Sequence, residues 1–205
     1  MKDESYPSRR RFLLAGLAAL PLLGCEASAE NCRQTERGAG GPFYRRGAPW
    51  RAKLAEASEP GEPLIISGRV VAAGTCEPLK GAIVDVWQAN AEGLYDNQLS
   101  GERANGFRLR GQMKTDDEGR YQFETVLPGN YGDGGVQRAK HIHYIVSFPG
   151  YAPITTECYF EGDERNRTDP LVRESLVVAL SSFTHRQERR KYLKGTFDIA
   201  LRKAN

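Results

Sequence analysis

The run His141-Ile-His-Tyr-Ile-Val-Ser-Phe148 constrains the fold of this chain more than any other stretch. It is short, β-branched and aromatic, and Pro149-Gly150 closes it, so it reads as a strand. Along a strand, residues i and i+2 point to the same face. His141 and His143 therefore stand together on one face, while Ile142, Tyr144 and Val146 occupy the other. Two imidazoles on a rigid face can both reach one metal ion. They can equally be two core histidines with satisfied hydrogen bonds, and the short motif leaves both readings open.

Further strand patterns surround this run. Leu64 to Ala72, Ala82 to Trp87, Gly119 to Val126, Ile154 to Phe160 and Thr196 to Leu201 are short, apolar or alternating, and bounded by turn residues. Such a series predicts an all-β chain folded as a single sandwich or barrel. A short helix fits Trp50–Ala57, and Leu171–Ser182 is the stretch that competes as a helix. No internal repeat or coiled coil is evident.

The N-terminus reads as an address. Ser8-Arg9-Arg10-Arg11-Phe12-Leu13-Leu14 matches the twin-arginine export pattern, and the apolar run to Gly24 is too short for a comfortable membrane span. Leu22-Leu23-Gly24-Cys25 resembles a bacterial lipobox, in which the cysteine carries the lipid. The expected organisation is a signal over residues 1–24, a linker and irregular arm over 25–60, and one β-sandwich over 61–205. The expected location is the cell envelope, with the membrane touched through the lipid on Cys25 alone.

The formal charge of +3 falls to about +1 without the signal, which holds four basic and two acidic residues. No basic block remains to argue for nucleic acid. An exported chain permits disulfides, and Cys32, Cys76 and Cys158 cannot all pair within it. Cys32 and Cys76 both lie in loop-like stretches, which favours that pair.

Two tyrosines sit at marked positions: Tyr95 after Gly93-Leu94, and Tyr131 in Pro128-Gly-Asn-Tyr-Gly132. Phenolate is a hard anionic donor that, with imidazole, favours Fe3+ over Zn2+ or Cu(I). A free phenol titrates near 10, and a trivalent ion supplies the charge that ionises it near neutral pH. Taken singly, each tyrosine also fits a packing role.

Several ordered blocks carry a resemblance. They are Gly81-Ala-Ile-Val-Asp-Val-Trp-Gln-Ala-Asn-Ala-Glu-Gly-Leu-Tyr95, Thr115-Asp-Asp-Glu-Gly-Arg-Tyr-Gln-Phe123, Leu127-Pro-Gly-Asn-Tyr131, His141-Ile-His143 and Tyr159-Phe-Glu-Gly-Asp163. The chain resembles the intradiol ring-cleavage dioxygenases, especially the protocatechuate 3,4-dioxygenase branch. The resemblance implies a β-sandwich with one non-haem Fe3+ on Tyr95, Tyr131, His141 and His143. It implies O2-dependent cleavage of a small aromatic diol between its two hydroxyl-bearing carbons, giving a muconate-type dicarboxylate. Tyr131 would be the ligand that yields to substrate and takes its second proton. Arg138 would stabilise anionic charge on the substrate.

Several positions depart from the family pattern. Glu157 stands where many relatives have glutamine, and Gly132-Asp133 replaces the Pro-Trp that usually follows the second tyrosine in the protocatechuate enzymes. A pocket-facing Glu157 predicts a preference for catechols without a carboxylate. These departures also keep a second class in view, a non-catalytic metal- or carbohydrate-binding lipoprotein. A third reading is a zinc or copper protein using the His-x-His alone. An oligomer is compatible with all three.

Overall fold

A computed structural model describes residues 32–99, 106–133, 135–185 and 189–204. The signal and Cys25 lie outside the described residues. Among those described there are twelve strands: β1 (Pro63–Ala72), β2 (Ile83–Gln88), β3 (Arg110–Lys114), β4 (Arg120–Val126), β5 (Tyr131–Asp133), β6 (Val136–Arg138), β7 (His141–Ser147), β8 (Ile154–Phe160), β9 (Val177–Val178), β10 (Ser181–His185), β11 (Arg190–Thr196) and β12 (Ile199–Leu201). One sheet runs β10-β11-β1-β12, with β4 beside β1; the other runs β3-β2-β7-β8-β9; β5 and β6 form a separate hairpin. The fold is an all-β sandwich.

The core lies between the two sheets. Leu64, Ile66 and Val70 of β1 and Phe123 of β4 meet Val84 and Val86 of β2, Ile142, Tyr144 and Val146 of β7, and Cys158 of β8. The alternation of β7 puts Ile142, Tyr144 and Val146 inside, which leaves His141 and His143 on the outer face. Directly paired residues share a face. His143 pairs with Trp87 on one side and Glu157 on the other, His141 pairs with Tyr159, and Trp87 pairs with Arg110. The site is thus built on the outer face of the second sheet.

Three local expectations are corrected. Trp50–Ala57 is not helical, because strand edges claim its backbone groups: Arg51 N–H donates to Gln112 O at 3.0 Å and Leu54 N–H to Glu124 O at 2.8 Å. Thr196–Leu201 is not one strand; it breaks at Phe197, whose N–H donates to Ser67 O and whose carbonyl accepts from Tyr121 Oη at 2.6 Å. That approach requires Gly68, since a Cβ there would sit 1.9 Å from the Phe197 oxygen. Leu171–Ser182 holds only a 3-10 turn at Glu174–Leu176 before β9, where Val177 and Val178 pair in parallel with Tyr159 and Phe160.

The N-terminal arm crosses the outer face. Cys32 and Cys76 are disulfide-bonded with Cα atoms 5.4 Å apart, and Cys158 is a buried free thiol. Beyond the disulfide, Thr35 N–H donates to Ala200 O, and Gly38 N–H donates to Thr155 O at 3.0 Å.

Candidate metal centre

The two tyrosine loops are brought together by glycines. Asn90 Oδ1 accepts from the amides of Glu92 and Leu94, closing a tight turn that delivers Tyr95. Gly93 in this turn has φ +83°, and a Cβ on it would lie 2.1 Å from Asn130 O. Gly129 is equally confined against Ala91 O, and its N–H donates to Asn90 O at 2.8 Å. Only backbone without side chains allows the Tyr95 and Tyr131 loops to touch at this distance.

The four expected donors converge. Tyr95 Oη lies 2.9 Å from His143 Nε2, and the Nε2 atoms of His141 and His143 are 3.1 Å apart. The Tyr131 ring packs edge-on to Tyr95 at 5.3 Å and tilts against His141 at 5.4 Å. All four residues are buried. Phe43 of the arm stacks on Tyr95 at 4.4 Å, and Trp87 stacks on His143 at 4.8 Å with 6° between the rings. Aromatic pairs of this kind add about 0.5–1.5 kcal/mol each beyond their burial.

Burial holds His141 below its ordinary pKa and His143 well below. Both imidazoles are therefore neutral and available as ligands near pH 7. Burial also pushes the Tyr95 phenol well above 10, and Tyr131 and Glu157 nearby add to the rise. A phenol so placed ionises only against a strong positive charge. The donor set fits a highly charged cation: two hard oxygens and two neutral nitrogens, buried around one point.

Arg138 and Glu157 are both buried in this cluster. Arg138 Nε donates to Asp169 Oδ2 at 2.8 Å, Nη2 to Glu157 Oε1 at 3.1 Å and to Tyr159 Oη at 2.9 Å, and Nη1 to Tyr131 Oη at 3.3 Å. Tyr159 Oη donates to Glu157 Oε2 at 2.6 Å. Glu157 Oε1 also lies 3.3 Å from His143 Nδ1 and 3.7 Å from His141 Nε2. One guanidinium thus faces two carboxylates.

Tyr159, Asp169, Ala39 and Phe43 also belong to the site; the sequence marks Tyr159 only as the start of the Tyr159–Asp163 block, with no role. Tyr159 was within reach, since it alternates with Glu157 on β8. Asp169 and the arm residues carry no local pattern. His185 lies on β10, in the other sheet.

This geometry defines a β-sandwich protein with a candidate mononuclear centre of two phenols and two imidazoles. Residues 40–203 match the Dioxygenase family. The 6-chlorohydroxyquinol 1,2-dioxygenase of Cupriavidus pinatubonensis is 34% identical over 192 residues, which cover 82% of this chain and 67% of that protein. The protocatechuate 3,4-dioxygenase beta chain of Burkholderia cepacia is 35% identical, with coverage of 69% and 65%. Among solved structures, the dioxygenase domain of a dioxygenase–carbohydrate-binding fusion from Streptomyces sp. SirexAA-E superposes with a TM-score of 0.71 at 34% identity, covering 83% of this chain and 99% of that one. The chain belongs to the intradiol ring-cleavage dioxygenases, a family dependent on non-haem Fe(III). It spans about half to two thirds of the length of the curated relatives it matches. Hydroxyquinol- and protocatechuate-named relatives stand at nearly equal identity, so neither branch is singled out.

Proposed function

We propose that this chain cleaves a catechol-type ring with O2 between its two hydroxyl-bearing carbons, using Fe3+ held by Tyr95, Tyr131, His141 and His143. The observation that carries the reading is the convergence of four buried donors, two of them phenols that need a trivalent partner to ionise. Bound ferric iron would supply the charge that ionises the phenols and would activate a chelated catechol toward O2. Tyr95, His141 and His143 are fixed by the stacking of Phe43 and Trp87 and by backbone acceptors. Tyr131 is the donor that would yield to substrate and take its second proton, as the family resemblance implies, and Arg138 Nη1, which donates to its hydroxyl at 3.3 Å, would orient it.

The substrate is a catechol without a carboxylate. Arg138 Nη2 and Nε are already paired with Glu157 and Asp169, so a carboxylate on the ring would be a third anion at one guanidinium, while Nη1 stays beside Tyr131, where it would steady a chelated catecholate. The small Gly132 after Tyr131 leaves that side of the site without an aromatic wall. Export by the twin-arginine route and lipid attachment at Cys25 complete the reading. The disulfide between Cys32 and Cys76 supports them, being a bond of oxidising compartments. Cys25→Ala should abolish labelling by a lipid precursor, and continued labelling would overturn that assignment.

The decisive test is an optical spectrum of the purified protein with metal analysis, before and after adding a catechol. About one iron per chain, a visible tyrosinate-to-iron band, a weakened and shifted band in Tyr95→Phe and a further change with catechol are expected. A different donor set is also present: His141, His143 and Glu157 have ligand atoms within 4.8 Å of one another, an arrangement suited to a divalent ion. A colourless protein that takes up stoichiometric zinc after iron reconstitution would favour a binding protein over the enzyme.

A further inference from the structure

The two histidines of β7 are held in different ways. His141 Nδ1 faces Ala139 O at 2.6 Å, two residues away on its own chain. His143 Nδ1 faces Ala39 O at 3.2 Å, across 104 residues of sequence. Its other neighbour, Glu157 Oε1 at 3.3 Å, belongs to a carboxylate whose Oε2 accepts from Ala39 N–H at 3.3 Å. One arm residue therefore supplies one acceptor directly and steadies the second.

The arm is seated closely enough to do this. A Cβ on Gly38 would lie 2.9 Å from Glu157 N, a backbone atom, and one on Gly41 would lie 3.2 Å from His143 Cε1. Thr156 Oγ1 donates to Glu36 O at 2.8 Å, and the Cys32–Cys76 disulfide fastens the start of the arm to the β1–β2 turn. An acceptor at Nδ1 fixes the proton there and leaves the Nε2 lone pair aimed at Tyr95 and His141, the geometry a metal ligand needs.

We propose that Ala39, held down by Gly38 on its own side of the arm, is the positioning residue for His143, and that the arm is thereby a structural part of the metal centre. The assignment of a metal to these side chains rests on the function proposed above; the positioning of the imidazole does not. Gly38→Ala is the wedge that separates them. It adds one methyl that would lie 2.9 Å from Glu157 N and 3.0 Å from Glu157 Cγ and Oε2, at a position with no left-handed strain, and it replaces none of the side chains of Tyr95, Tyr131, His141 and His143.

Long-range 1H–15N spectra of the metal-free protein read the tautomer of each imidazole directly. In the wild type, His141 and His143 should each carry the proton on Nδ1. In Gly38→Ala, His143 should become a mixture of tautomers while His141 stays unchanged. After iron loading, the variant should release iron to a chelator at least about tenfold faster than the wild type. If the arm variant expresses poorly, Cys32→Ser/Cys76→Ser loosens the same segment from its start and should shift His143 in the same direction. An unaltered His143 with unaltered release, or equal changes at both histidines, would overturn the proposal. A wild type that takes up no iron would sink the enzyme reading, and the tautomer spectra would still decide the role of Ala39.

Discussion

The two faces of β7 differ in what holds them and in what they tolerate. On the inner face, Ile142, Tyr144 and Val146 meet apolar groups from both sheets, and the attraction is non-directional. On the outer face, His141 and His143 sit among phenols, a guanidinium and two carboxylates, where each polar atom answers to a particular partner. The inner face is a matter of volume and area, the outer one of charge and direction. The proposed function is concentrated on the outer face, where neutral imidazoles and buried phenols would hold a cation placed among them.

The largest expected contrast is between neighbours. Ile142→Ala removes inner-face volume and should cost about 2–5 kcal/mol of stability, while iron content stays at the wild-type level. His143→Ala should abolish iron retention and lower turnover by about a thousandfold or more, with a smaller loss of metal-free stability than Ile142→Ala. Denaturant unfolding and metal analysis on both variants check this. Iron loss in Ile142→Ala equal to that in His143→Ala would erase the distinction between the faces.

A smaller effect comes from changing charge at constant volume. Glu157→Gln keeps the shape of a fully buried side chain and removes one negative charge from the cluster around Arg138. The ratio of kcat/KM for protocatechuate to that for catechol should rise about tenfold, the equivalent of roughly 1.4 kcal/mol. Oxygen uptake with each substrate measures it. A wild type that prefers protocatechuate, with no change in the variant, would show that volume and not charge governs this face too.

The same division explains what could be read from the sequence. β1, β2, β4, β7 and β8 are short runs rich in apolar, β-branched and aromatic residues with turn residues between them, so those strands and the His141/His143 face were legible within a residue or two. β3 and β10 were not, because Arg110-Gly-Gln-Met-Lys114 and Ser181-Ser-Phe-Thr-His185 are polar and gain their strand state from pairing with β2 and β11. Motif spacing marks Tyr95, Tyr131, His141 and His143, and the structure brings these four side chains together. Ala39 and Asp169 act through an amide, a carbonyl and a loop carboxylate, which leave no periodic trace. The helix expected at Trp50–Ala57 failed for a related reason: local propensity is weak where strand edges of distant segments satisfy the backbone.

The smallest effect lies at the rim of the site and concerns acid. Asp163 accepts from Lys140 N–H at 2.7 Å, Arg165 N–H at 3.0 Å and Asn130 Nδ2 at 2.8 Å, so it joins the Tyr131 loop to the start of β7. Partial burial alone would raise its pKa, but these donors outweigh burial and hold it below the usual carboxylate range. A carboxyl depressed in the folded state contributes stability that is present above its unfolded value, near 3.9, and is lost as pH falls through the lower folded value. Asp163 is partly exposed, so solvent screening reduces the contribution to a few tenths of a kcal/mol. Urea midpoints of wild type and Asp163→Asn from about pH 6 to pH 2.5 read it. The variant should be slightly less stable at pH 6, and the two curves should converge as pH falls through the lowered folded value of Asp163, where the wild-type carboxyl is itself protonated. A constant gap across the range would mean that Asp163 acts through the shape of its hydrogen bonds and not its charge, and would move the rim from the electrostatic face to the packed one.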